Sequence, residues 1–232
     1  MIEFFDRIDK SLLLFLNGNG TPYWDDLMWI YTGRWVWLPV ALGFIWYFFR
    51  KGGWREAIMI LLSITLLITL CDQISSSFFK PFFERLRPSH QEELQPFLSI
   101  VNNYRGGRYG FISSHAANSV GFATFTALVI RRSGYSVSIF LWALLTCYSR
   151  IYLGVHFPGD VLAGSLLGVI IGYLVFVLYQ TLHNYLFVMF RFRTAAIPYE
   201  RQIPWTPLVI LYGTWLVIFV FPTQLFPYFI KH

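Results

Sequence analysis

The sequence predicts an all-α fold: a polytopic membrane bundle of about six transmembrane helices, preceded by an interfacial N-terminal helix. Three observations predict it. Of the 232 residues, 56% are hydrophobic and 20% aromatic, while 13% are charged. The mean hydropathy of +0.53 would leave a soluble domain with more apolar surface than it could bury. The apolar residues are also grouped in segments close to the ~20 residues that a membrane-crossing helix needs.

The chain reads as one membrane-embedded domain, residues 1–232, in which 1–31 form the interfacial segment, 80–160 carry the polar motifs and 206–230 hold the final span. The first segment mixes Glu3, Asp6 and Asp9 with Phe4, Phe5, Leu12, Leu13, Phe15 and Trp24, the pattern of a helix lying on a membrane surface. It lacks the basic start and small-residue cleavage site of a signal peptide. Asn17-Gly18-Asn19-Gly20 marks a turn. The expected spans then run Arg34–Phe49, Ala57–Phe79, His115–Ile130, Tyr135–Ser149, Asp160–Phe187 and Pro207–Phe221. Asp72 falls inside the second span, where a charge facing lipid would cost several kcal/mol, so it is expected to face the bundle interior.

Six spans put the long connection Lys80–Ser114 and the short one Arg150–Gly159 on the same side of the membrane. The other side carries Arg50, Lys51, Arg55, Arg131, Arg132, Arg191, Arg193 and Arg201, with Glu56 and Glu200 opposing them. Short basic loops mark the cytoplasmic side. The protein is therefore expected in the inner (cytoplasmic) membrane, with its polar loops and both termini outside the cytoplasm. The formal charge of +6 does not gather into a basic patch with interleaved aromatics, which argues against nucleic acid as a partner. Cys71 and Cys147 sit within apolar runs and indicate neither a disulfide framework nor a zinc site. Trp35, Trp37, Trp54 and Trp205 fit interfacial or packing roles, and His90, His183 and His232 have no motif partners.

Three polar clusters share the loop face. Lys80 and Arg87-Pro88 form the first; two cations at this spacing can converge on one phosphate, although a basic pair at a membrane boundary can also serve as a snorkelling anchor. Ser113-Ser114-His115 stands at the start of the third span, where the N–H groups of a helix N-terminus face an anion. Either serine can equally be an N-cap, and the two roles are compatible. Ser149-Arg150, His156 and Asp160 form the third. Asp160, four residues after His156, can hold the imidazole Nδ1–H and leave Nε2 free to attack phosphorus. A metal site or a plain structural pair would use the same spacing.

At these residues the chain resembles the type 2 phosphatidic acid phosphatase superfamily, whose pattern is Lys, six residues, Arg-Pro; then Pro-Ser-Gly-His; then Ser-Arg, five residues, His, three residues, Asp. Lys80, Arg87 and Pro88 complete the first motif, and Ser149, Arg150, His156 and Asp160 the third. The second keeps Ser113 and His115, with Ile112 in place of the proline and Ser114 in place of the glycine. The resemblance implies that Lys80, Arg87, Ser113, Ser114 and Arg150 bind the phosphoryl group and His156 is the nucleophile, oriented by Asp160. It also implies that His115 protonates the leaving group and then activates water. No metal or other cofactor is implied; the partners are a membrane lipid phosphate and the bilayer, with no obligate protein partner.

The expected activity is hydrolysis of a lipid phosphate or pyrophosphate through a phosphohistidine. The candidates are undecaprenyl pyrophosphate, which the bacterial layout favours, phosphatidylglycerophosphate, phosphatidic acid and a lipid A phosphate. A lipid-phosphate phosphotransferase, a haloperoxidase and a non-hydrolytic transporter or flippase are the competing readings. Arg105 and Arg108, among Gly106, Gly107 and Gly110, are candidates for a second phosphate contact or for a solvated flexible loop.

Overall fold

A computed structural model describes residues 2–17, 20–190 and 198–229. Within the expected turn at 17–20, residues 18 and 19 lie outside these, as do Arg191, Arg193 and His232. The described residues are helical, and their strand-like pairing is confined to one antiparallel bridge, Leu86 with Tyr109.

Helix α1 (Ile2–Asn17) turns Phe4, Phe5, Ile8, Leu12 and Phe15 outward and buries Leu13 and Asn17. Its end is tied down by Asn17, whose Nδ2 donates to Tyr152 O at 2.5 Å and Ser99 O at 3.0 Å. Helix α2 (Pro22–Thr32) starts where Thr21 accepts from Trp24 N and Pro22 supplies a preset φ.

Helix α3 (Leu38–Gln73) covers most of the first two expected spans. Gly53, with φ 74° and ψ 174°, breaks its hydrogen-bond ladder in a conformation that penalises a Cβ. The side chains follow the break. Trp37, just before α3, lines the same cavity as Asp72 and Lys80, while Phe48 and Glu56 lie near Tyr199 and His183 at the far end. The chain therefore runs away from the cavity, reverses at Gly53 and returns. A π-helical turn (Ile74–Phe79) and helix α4 (Lys80–Phe83) extend the returning arm, and Glu84 at φ 46° ends it. Such a widened turn moves the following side chains around the helix, and here it immediately precedes Lys80.

Helices α5 (Ser114–Ile130), α6 (Ser133–Tyr152), α7 (Pro158–Phe190) and α8 (Trp205–Val220) complete the bundle, and α9 (Pro222–Leu225) folds back at 92° to α8. Helix α5 is the central helix, buried along most of its length. It meets α7 through glycines: a Cβ at Gly164, Gly168 or Gly172 would lie 2.4, 2.5 or 2.7 Å from a backbone oxygen of Ser113, Ala117 or Gly121. Small residues at every fourth position let two backbones approach closely where lipid removes the usual hydrophobic drive.

Among the described residues, Trp35–Phe83 and Pro158–Leu186 are long and apolar enough to cross a membrane, and the bent pair Trp205–Val220 with Pro222–Tyr228 makes a third if it is one span. Helix α5 is only 17 residues long, and α6 carries several serines and Arg150 along its 20 residues. Enclosed by neighbours, α5 carries Ser119, Thr124 and Thr126, whose hydroxyls donate to carbonyls one turn back along the helix. Glu56, read from sequence as a charge opposing the basic loops, is instead buried: His183 Nδ1 lies 3.1 Å from its Oε2, and Tyr179 donates to its Oε1. That also gives His183 a partner that its sequence position did not suggest.

Candidate active site

The three polar clusters converge. A cavity of about 360 Å³ is lined by Lys80, Arg87, Ser114, His115, Arg150 and His156, together with Asp72, Ser76, Asn118 and the rings of Tyr31, Trp37, Tyr104 and Trp142. A larger groove of about 550 Å³, between Trp54 and Leu186, is almost wholly apolar, with Arg55 and Ser63 on its wall and no histidine, cysteine or carboxylate. The smaller cavity is therefore where chemistry can occur.

Each cation is placed by local structure. Lys80 Nζ donates to Ser114 Oγ at 2.8 Å and Ser76 Oγ at 3.1 Å, joining the end of the α3 arm to the start of α5. The bridge between Leu86 and Tyr109, with Arg87 N donating to Arg108 O and Gly110 N to Arg85 O, pins the loop strand that carries Arg87. The Arg87 guanidinium then donates to Tyr109 O at 3.2 Å and Val155 O at 3.4 Å. Gly106, at φ 66°, passes so close that a Cβ there would lie 2.7 Å from Arg87 Nη1. Arg150, buried in the last turn of α6, donates to Thr32 Oγ1 at 2.6 Å and leaves Nε without a partner. Burial, and after it the charge of Arg150, pulls the Arg87 pKa down to about 10, which leaves it cationic at neutral pH.

His156 lies in the tight connection between α6 and α7, where Gly154 takes φ 67°. Its Nδ1 is 3.4 Å from Asp160 Oδ2, close but not aligned for a hydrogen bond. The same oxygen accepts from Phe157 N at 3.1 Å. Burial first, then Arg87, Arg150 and Lys80, hold the His156 pKa well below 6.5, so the imidazole is neutral and its lone pair available.

The two serines divide the roles left open by the sequence. Ser113 is fully buried and caps α5, its Oγ accepting from Ala116 N at 3.4 Å and its N–H donating to Asp160 O at 3.0 Å. Ser114 lines the cavity, where the residue substituted for the family glycine gives Lys80 a hydroxyl to hold. His115 and His156 share the cavity wall, and Asp160 stands behind His156. Arg105 and Arg108 are exposed and do not line the cavity. Asp72 does line it, facing Ser76 as expected for a carboxylate turned into the bundle.

Sequence reading missed Tyr31, Trp37, Asn118 and Trp142 on the cavity wall, because an aromatic or amide within an apolar run carries no spacing signal. It also missed Arg85, which lies among the six unspecified residues of the first motif and bonds Asp160.

Three cations facing two histidines, one of them backed by a carboxylate, give this cavity in a helical membrane protein the charge that a phosphoryl group requires. The chain belongs to the PAP2 superfamily, whose sequence model matches residues 56–184. It is a phosphoric monoester hydrolase of that family. Two relatives are each called lipid A 4'-phosphatase. The one from Porphyromonas gingivalis is 39% identical over 178 residues, 77% of this chain and 75% of its own. The one from Bacteroides thetaiotaomicron is 43% identical over 169 residues, 72% of this chain and 75% of its own. The crystal structure of Aquifex aeolicus LpxE superposes with a TM-score of 0.53 at 28% identity, covering 71% of this chain and 92% of that one.

Proposed function

We propose that this protein removes a phosphate monoester from a phosphorylated glycolipid of the lipid A kind, through a phosphohistidine on His156. Lys80, Arg87, Arg150 and Ser114 hold the phosphoryl oxygens, and His156 Nε2 attacks phosphorus in line. As the bond to the lipid oxygen breaks, His115 gives that oxygen a proton. His115 then takes a proton from water, whose oxygen attacks the phosphohistidine and returns His156 to the neutral form. The cations neutralise charge gathering on the equatorial oxygens in both steps.

One observation carries this reading: motifs separated by up to 80 residues, Lys80 to Asp160, meet around a single cavity with the nucleophile neutral. The relatives' names shift the substrate from the polyprenyl pyrophosphate favoured by layout to lipid A. The cavity supports that choice. Tyr31, Trp37 and Trp142 offer ring faces, and Asn118 Oδ1 is a buried acceptor without a partner, a combination suited to a sugar headgroup.

We further propose six crossings, made by the two arms of α3 on either side of Gly53 and by α5, α6, α7 and α8, with α1 at the interface. The site would face away from the cytoplasm in the inner membrane, because Arg50, Lys51, Arg55, Arg131 and Arg132 lie at the other end. A lipid could then keep its chains in the bilayer while its headgroup enters the cavity.

The test is phosphate release in detergent, with a chelator present, from lipid A, phosphatidic acid, phosphatidylglycerophosphate and undecaprenyl pyrophosphate. Wild type should release phosphate fastest from lipid A, and His156→Ala should lose at least roughly a thousandfold in rate. An active His156→Ala variant would overturn the choice of nucleophile. An active wild type that ignores lipid A would overturn the substrate.

A further inference from the structure

We infer that Arg85 and Asp9 are positioning residues for the nucleophile, extending the His156–Asp160 pair through a second ion pair into the N-terminal helix. The inference rests on the phosphohistidine reading and adds residues outside its three motifs.

The two oxygens of Asp160 do different work. Oδ2 accepts from Phe157 N and faces His156 Nδ1, while Oδ1 accepts from Arg85 Nη1 at 2.8 Å. The Arg85 Nη2 group donates to Asp9 Oδ2 at 2.7 Å, and Asp9 Oδ1 accepts from Gly159 N at 2.7 Å. Asp9 thus grips the backbone immediately before Asp160 as well as the guanidinium that holds Asp160. The Arg85 guanidinium also covers the Phe157 ring at 4.1 Å, so the residues flanking Asp160 and His156 share one clamp.

Burial favours this arrangement. Asp160 is fully buried, and the side chains of Asp9 and Arg85 keep 13% and 25% of their exposure. A carboxylate withdrawn from water stays ionised only if paired, and Arg85 supplies the contacting cation. Asp9 and Asp160 together more than offset the effect of burial on Arg85, holding its pKa above the ordinary arginine value. Gly110 closes the remaining side: a Cβ there would lie 2.9 Å from Asp160 Oδ2. Helix α1 is anchored nearby through Lys10, which bonds Asp6 at 2.8 Å and Glu93 at 2.7 Å.

Arg85 does not line the cavity, so it acts through Asp160 and not on phosphate. An ionised Asp160 held in one orientation favours the tautomer with the proton on His156 Nδ1 and the lone pair on Nε2. A free imidazole prefers the reverse.

The experiment compares wild type, Arg85→Gln, Arg85→Lys and Asp9→Asn, each checked for folding by thermal melting in detergent. Two measurements are made: the kinetics of phosphate release from lipid A, giving kcat and KM, and the His156 tautomer from nitrogen-15 NMR of protein labelled at its five histidines. Loss of one resonance in His156→Gln assigns the signal. Arg85→Gln should lower kcat roughly 10- to 100-fold, as loss of an outer partner of a functional histidine does elsewhere, with KM changed less than about twofold. Its His156 should lose the Nδ1–H form. Arg85→Lys should recover part of both, and Asp9→Asn, which keeps an acceptor for Gly159 N, should fall between. An unchanged kcat, or a lowered kcat with the wild-type tautomer, would overturn the inference. If wild type releases no phosphate, the proposed function fails, and the tautomer alone then decides whether Arg85 orients His156. If Arg85→Gln does not fold, Arg85→Lys and Asp9→Asn give the same two readings.

Discussion

At the scale of single residues, the decisive property is the charge state of His156. Buried beside Arg87, Arg150 and Lys80, it resists protonation well below the ordinary histidine value of 6.5. Two outcomes follow, with the sign set by proton uptake. The acid limb of kcat/KM, which reports the free enzyme, should lie below pH 6.5, and that of kcat should lie higher, because bound phosphate offsets the cations. Rate profiles with a soluble phosphate monoester would check this, and a kcat/KM limb above 6.5 would contradict it. The unfolded chain binds this proton more readily than the folded one, so His156 contributes stability above pH 6.5 that is lost as pH falls below it. Melting temperature across pH 5 to 7, in wild type and in His156→Gln, isolates that contribution.

At the scale of elements, the contact between α5 and α7 sets the distance between His115 and the Asp160 that backs His156. His115 lies in the first turn of α5 and Asp160 in the first turn of α7, so separating the two helices separates the histidines' supports. A side chain at Gly168 must displace Ala117 O, 2.5 Å from its would-be Cβ, whereas Gly213 on α8 has nothing within 4 Å. Gly168→Val should cost about 1 to 3 kcal/mol of stability and remove most activity from the protein that does fold. Gly213→Val should leave both unchanged. Thermal melting measures the first effect, and specific activity of monodisperse protein in detergent the second. Equal behaviour of the two variants would show that close approach of these backbones is not what holds the site.

At the scale of the whole molecule, the far end of the bundle has a polar lock of its own. Glu56 accepts from Tyr179 and pairs with His183 at 3.1 Å, and Tyr199, which packs on Phe48, donates to Phe48 O at 3.0 Å. Removing one member of such a buried set leaves the others without their partner, so Glu56→Ala should destabilise by about 3 kcal/mol. It touches nothing in the cavity, so kcat and its pH profile should stay as in wild type. A changed profile would mean that the two ends are coupled. Orientation is tested at the same scale: Gly107→Cys should react with an impermeant maleimide applied to whole cells lacking an outer barrier, and Gly134→Cys only after the inner membrane is opened. Both positions are exposed, and the native Cys71 and Cys147 are buried.

Helical class, membrane character and the motifs that meet at the cavity were all legible in the linear chain. Apolar length and composition determine what a bilayer accepts, and Lys80, Arg87, Arg150, His156 and Asp160 stand at spacings that local geometry can turn toward one anion. Folding decided what spacing does not encode. The chain reversal at Gly53 was hidden between two apolar segments, and Glu56 resembled a loop charge until α3 packed on α7 and buried it. Ser113 and Ser114 were equivalent candidates until the start of α5 turned one into a cap and the other into the cavity. Asp9 and Arg85 are 76 residues apart, and each resembles a solvated charge. Only packing α1 against the loops withdraws both from water beside Asp160, where the low-dielectric surroundings make their pairing matter.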